Sequence, residues 1–224
     1  MLEIKLKEKH YKKNRFGKKE ELVSDFKKKN ITNDMEKTQI IANDFLEANF
    51  QILKKKEILN FPKENSMICV RTQSQMNFFS FFIMFIEKYG HINYLSIQTY
   101  TFNEKTVYAL KKLVDDGKIK KLQIVMTETA NFRIPKIYRL LKELFSEHEN
   151  CNLVFYWVHS KVNLIKCKDD YFVLDGSGNF SMNAQVEHYN IINSKKIFDA
   201  DKAWQDDFFF SKKLRKNHEI YKNF

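Results

Sequence analysis

The run Asn152 to Lys166, NLVFYWVHSKVNLIK, decides the fold. After Asn152, the six residues Leu153 to Val158 are all apolar, aromatic or β-branched, the composition of a buried strand. Val162 to Lys166 resumes the strand pattern after His159-Ser160-Lys161. Lys168, Asp169 and Asp170 then form a short polar link to Tyr171–Leu174, which predicts a hairpin and hence at least one antiparallel pair. Upstream, strand and helix patterns alternate. Ser66–Arg71 (SMICVR) reads as a short buried strand, followed by a helix capped by Ser74, running to Tyr89 and closed by Gly90. Tyr94–Phe102 is a strand, Asn103 caps a helix over Glu104–Asp116, and Leu122–Thr127 is a further strand. A loop through Asn131 and Pro135 leads to a helix over Lys136–Glu147. Downstream, Val186–Ile192 reads as a strand and Asp199–Phe210 as a last helix. Strands separated by helices of about a dozen residues predict an α/β sandwich with a mixed, partly parallel central sheet flanked by helices.

The chemistry-bearing residues follow the same order. After His159-Ser160-Lys161 and the hairpin come Gly176-Ser177-Gly178-Asn179, then Ser181, Asn183 and Glu187. This pattern resembles the signature of the phospholipase D superfamily: His-x-Lys, a downstream Asp, Gly-Ser-x-Asn, and an acidic residue beyond. The likeness covers roughly Ser66 to Trp204, with the specific identities confined to residues 159–187. Phe172 to Trp204 also resembles, in general pattern, uncharacterised phospholipase D-like proteins of bacterial prophages.

Those residue types suit phosphodiester cleavage. A neutral imidazole attacks phosphorus and a charged one protonates a leaving oxygen, with a pKa near working pH. Lys161, two residues on, projects to the same side as His159 if the two share a strand, and its ammonium then meets the phosphoryl oxygens where charge develops. Ser177 and Asn179 would add neutral donors, and Glu187 would orient the histidine. The family places its Asp five residues after the Lys. That position here is Lys166, while Asp169 matches the spacing counted back from Gly176; it is the counterpart or a turn residue. Asp175 stands where an apolar residue is usual.

One histidine cannot be both nucleophile and leaving-group acid in one step. His10-Tyr11-Lys12 matches only the first three letters of the motif, and His91, His148 and His218 are scattered in polar surroundings. The resemblance therefore implies a homodimer, a phosphohistidine intermediate, and neither metal nor cofactor. Its alternatives are a phospholipase D-like nucleic-acid-binding protein without catalysis, or a lipid phosphodiesterase.

Composition agrees with a globular domain of 224 residues, 43% hydrophobic and 15% aromatic. Cys69, Cys151 and Cys167 have no paired metal spacing and read as buried free thiols in a reducing compartment. The net charge of +11 favours an anionic partner, either nucleic acid (DNA or RNA) or an acidic lipid surface; the alternative is a solvated background of a Lys-rich composition. Residues 1–30 hold eleven Lys and Arg against five Asp and Glu. Residues 1–33 are thus a basic N-terminal extension, either a solvated tail or a backbone-binding arm with Lys12, Lys13, Arg15, Lys18 and Lys19 as phosphate contacts; the α/β domain would occupy 34–224. Arg133 and Lys136 would touch phosphate or stay solvated. Tyr156 and Trp157 would pack in the core or stack on bases. The first residues are charged from Glu3 onward, and the most apolar run, Met76–Ile86, is short of a bilayer span. A cytoplasmic protein with no stable membrane association is expected.

Overall fold

LQIVMT, Leu122–Thr127, is buried at all six positions, which only a strand covered on both faces can be. In the computed structural model it lies among the central strands of an eight-stranded sheet. The structure describes residues 37–49, 51, 61–72, 76–181, 186–210 and 220–221. The chain divides into two units, Met1–Ile40 and Ile41–Phe224. Of the first, only residues 37–40 are described, and they are helical. The basic segment, with Lys12, Lys13, Arg15, Lys18 and Lys19, lies outside the described residues, as do His10, Ser74, Asn183 and His218.

The second unit opens on a helix, residues 41–49 (α1). Then follow β1 (Ser66–Thr72), α2 (Phe78–Tyr89), β2 (Tyr94–Thr99), α3 (Glu104–Asp115), β3 (Leu122–Thr127), α4 (Ala130–Arg133), α5 (Pro135–Phe145) and β4 (Cys151–Tyr156). The chain continues through β5 (Val162–Cys167), β6 (Asp170–Gly176), β7 (Glu187–Asn193), α6 (Lys195–Phe210) and β8 (Ile220–Tyr221). The strand order is β1-β7-β6-β5-β2-β3-β4-β8. β2, β3 and β4 are parallel to one another, and the other neighbours are antiparallel. The fold is the mixed α/β sandwich the sequence predicts.

One face of the sheet packs on α2, α3 and α5; the other, around Leu164, Val173, Val125 and Val154, packs on Phe198 and Phe209 of α6. α2 is buried along Phe78–Ile86, and each phenylalanine taken from water there contributes about 1.5–3 kcal/mol. Its cap is Asn77, whose side chain accepts from the Phe79 N–H at 2.9 Å. The cap thus falls three residues after Ser74. Gly90 ends it with φ +81°, a left-handed cap open to glycine at little cost. Among the described residues no helix is long and apolar enough to cross a membrane.

β1 departs from expectation. It is an edge strand, largely exposed, with Met67 at 54% exposure and Cys69 open to solvent. Cys151 and Cys167 are buried, and burial pushes both thiols up to about 12.

Candidate active site

The direction of each strand places the motif. β1, β6, β2, β3 and β4 all end at the same edge of the sheet, and β5 and β7 begin there. Val162 pairs with Asp175 and Gly176 with Tyr189. Lys161 therefore arrives next to the Gly176–Ser177 turn, and Ser177 next to the start of β7. Carboxyl ends of parallel strands are where open α/β sheets bind ligands.

His159-Ser160-Lys161 lies in the link between β4 and β5, not on a strand, so strand alternation does not orient it. Ser160 is held instead by Gln98, whose Nε2 donates to the Ser160 Oγ at 2.5 Å from a fully buried position on β2. His159 is exposed, with its ring 5.0 Å from that of Tyr100 at 54°. Lys161 is half-buried, and its Nζ donates to the His159 carbonyl at 3.0 Å. Burial lowers the pKa of the Lys161 ammonium, opposed by the negative charge of Glu187 and by Tyr100. Those opposing influences place Lys161 in the field of Glu187.

Ser177 hydrogen-bonds across to β7 three times. Its N–H donates to the His188 carbonyl at 3.1 Å, its Oγ accepts from the His188 N–H at 3.1 Å, and its hydroxyl donates to the buried Glu187 carboxylate. The glycines on either side permit this approach. A Cβ on Gly176 would lie 2.2 Å from the His188 carbonyl oxygen, and one on Gly178 would lie 2.4 Å from the Tyr189 hydroxyl. Beyond them, the Phe180 N–H donates to the Thr101 carbonyl at 3.3 Å, and the Phe180 carbonyl accepts from the Asn103 N–H at 3.1 Å. The Gly-Ser-Gly-Asn loop is thus pinned beside the end of β2. Among the described residues the buried amide oxygen of Asn179 has no hydrogen-bond partner. Because amide O and N are assigned from hydrogen bonding, either could occupy that place, and the NH₂ is a ready donor for an anion.

His159, Lys161, Ser177, Asn179 and Glu187 therefore lie along one edge, and Asp169 does not. The hairpin pairs Cys167 with Asp170, so Lys168 and Asp169 make a two-residue turn, Lys168 with φ +51°. The six residues of β5 at about 3.3 Å each put that turn about 20 Å from Lys161. Asp169 is an exposed turn residue. Its neighbour Asp170 is the structural carboxylate, accepting from the Tyr89 hydroxyl at 2.8 Å and from Asn193 at 3.3 Å. Asp175 accepts from Asn190 at 2.7 Å.

Tyr100 is the residue the sequence reading missed: it lay inside a predicted strand, whereas β2 stops at Thr99. Its hydroxyl accepts from Arg133 Nη1, so Arg133 reaches the site through Tyr100. Lys136 is tied to Glu104 at 2.6 Å. Tyr100, Thr127, Thr129, Arg133, Trp157 and His159 line an open cleft of about 450 Å³. Tyr156 packs on Phe208, but Trp157 is 63% exposed, so the core reading of Trp157 does not hold. Among the described residues no group of three or more His, Cys, Asp and Glu side chains is placed to hold a metal ion.

No family model matches the chain, and no curated protein sequence does. Among solved structures, it is similar over 70% of its length to a polyphosphate kinase from Porphyromonas gingivalis, at 12% identity and TM-score 0.43. Over 69% it is similar to a phosphatidylserine synthase from Haemophilus influenzae Rd KW20, at 12% identity and TM-score 0.48. The chain spans 24% and 40% of those two chains. At this level of likeness the activity of neither neighbour carries over.

Proposed function

We propose that the chain is a metal-independent phosphodiesterase of the phospholipase D type that cleaves nucleic acid as a homodimer. The observation that carries the reading is the gathering of His159, Lys161, Ser177, Asn179 and Glu187, in motif order, along one edge of the sheet. The imidazole of His159 attacks phosphorus, and the bond from phosphorus to the leaving oxygen breaks. His159 of the partner subunit, charged, gives its proton to that oxygen. Water then attacks the phosphohistidine, losing a proton to the partner's His159, and His159 is regenerated. Lys161 and Asn179 hold the phosphoryl oxygens through this charge build-up, and Ser177 joins them by turning its one hydroxyl proton from Glu187, its partner in the free protein, to the phosphate. Glu187 fixes the Ser177 hydroxyl and shares its field with Lys161.

The exposed position of His159 supports the dimer, because a second copy can approach it. The charge of +11 supports a polyanionic substrate whose binding weakens steeply with salt. A nucleic-acid-binding role without catalysis is the second reading, favoured by the place of Asp169 at the hairpin tip, which leaves the family's acidic position unfilled at the site. Digestion of DNA and RNA in excess chelator decides between them. Wild type should cut, and His159→Ala should lose about 10²–10⁴-fold in rate. Cutting that needs added metal, or that survives the substitution, contradicts the proposal.

A further inference from the structure

We propose that the cleft beside His159 takes one unpaired nucleobase next to the scissile phosphate, so that the chain selects single-stranded nucleic acid. This rests on His159 as the reacting group and adds what the site recognises. At about 450 Å³ the cleft is far larger than a phosphate needs and lies within the range of small-molecule sites. Its distinctive wall is Trp157. The indole is 63% exposed and makes no ring contact among the described residues, although Tyr156 before it packs on Phe208 and Val158 after it is buried. Such a ring offers an open π-face, and every base has one to stack on it. Only Val158 separates Trp157 from His159, so their Cα atoms are at most about 7 Å apart. A base on the indole therefore belongs to a nucleotide adjoining the phosphorus that His159 attacks.

The same lining carries the charge that selects the occupant. Arg133 is tied to the Tyr100 hydroxyl through Nη1, which leaves further N–H donors on a guanidinium fork suited to phosphate. Thr127 and Thr129, whose hydroxyls lie 3.2 Å apart, add polar groups to the lining. Aromatic walls, a guanidinium and an adjacent ammonium fit a nucleotide better than an acyl chain. A base inside a duplex is stacked on both faces and paired along its edge, so it cannot reach the indole without leaving the helix. An unpaired strand meets no such barrier.

The test measures binding by fluorescence anisotropy on the His159→Ala background, where bound strands stay intact. The probes are a labelled DNA single strand, the matching RNA, the DNA duplex, and a DNA strand with abasic residues throughout. Single strands should bind tighter than the duplex. Adding Trp157→Ala should weaken single-strand binding about 5- to 150-fold, leave the duplex and the abasic strand unchanged, and be largely rescued by Trp157→Phe. Tighter binding of RNA or of DNA supports the proposal alike and identifies the strand. Unchanged single-strand affinity in Trp157→Ala, or an equal loss for single strand, duplex and abasic strand, overturns it. The two readings fail separately. Absent cleavage by wild type with Trp157-dependent binding intact removes the phosphodiesterase and keeps the cleft; cleavage indifferent to Trp157 does the reverse.

Discussion

Replacing Gly178 by alanine puts a methyl group against the one ring that cannot retreat from it. The added Cβ would lie 2.4 Å from the Tyr189 hydroxyl oxygen and 2.7 and 2.8 Å from its ring carbons Cε1 and Cζ. Tyr189 is fully buried, wedged between Phe78 at 4.9 Å and Phe81 at 5.0 Å, with its hydroxyl donated to the Met76 carbonyl at 2.9 Å. Overpacking of such a site costs about 1–3 kcal/mol. For a domain of this size each kcal/mol moves the melting midpoint by about 2–4 °C, so Gly178→Ala should melt roughly 2–12 °C lower. Tyr189→Phe removes the nearest of the three colliding atoms. It also strands the Met76 carbonyl, at about 1–3 kcal/mol. The double variant should therefore be less destabilised than the two single effects added together, by about 0.5–3 kcal/mol. Gly90→Ala is the control: its Cβ meets nothing within 4 Å, its φ of +81° alone costs about 1–2 kcal/mol, and Tyr189→Phe should leave that cost unchanged. Thermal unfolding of the six proteins, wild type, three single and two double variants, reads all of this. A Gly178→Ala midpoint equal to wild type, or strict additivity with Tyr189→Phe, would refute the argument that this glycine is required by packing.

Gln98→Leu should separate stability from activity. Among the described residues the buried Gln98 amide oxygen has no partner while its NH₂ holds Ser160, so the substitution should change stability by no more than about 1 kcal/mol and still lower the cleavage rate. A rate equal to wild type would mean that Ser160 needs no anchor. Lys161→Arg should alter the pH profile. The lysine is active as the ammonium, and burial lowers its pKa, so the rate should fall as pH rises through a value below the usual lysine range. Arginine stays charged, so its variant should lose that alkaline limb while reaching a lower maximum, since the two cations differ in geometry. Identical alkaline limbs would assign the titration to another group.

Much of this architecture is local in origin. β3 matches its reading over Leu122–Thr127 because a short, mostly apolar run set between Lys121 and Glu128 is too short for a helix and suits a strand. Asn103 caps α3 by accepting from the Thr106 N–H at 2.8 Å, and Gly90 closes α2. What the sequence hid is set by partners far along the chain. SMICVR looks like a buried strand, and only its place at the edge of the sheet exposes Met67 and Cys69. NLVFYWV looks buried throughout, but β4 stops at Tyr156 because its pairing with β3 ends at Thr127, which leaves Trp157 outside. Asp169 had the right spacing from Gly176, yet hairpin register, which spacing does not reveal, sends it to the far end. Tyr100 was visible only as one more aromatic in a strand. The rule that parallel strands present their carboxyl ends to ligands was the signal that could have singled it out.

The central claim is that His159 bonds to phosphorus. Rapid acid-free quenching of the wild type during cleavage of a strand labelled with radioactive phosphorus, followed by peptide mapping, tests it directly. The account predicts a label on the peptide containing His159, stable to alkali, labile to acid, and missing from His159→Ala. Cleavage without a labelled His159 peptide, or with label on another residue, would contradict it.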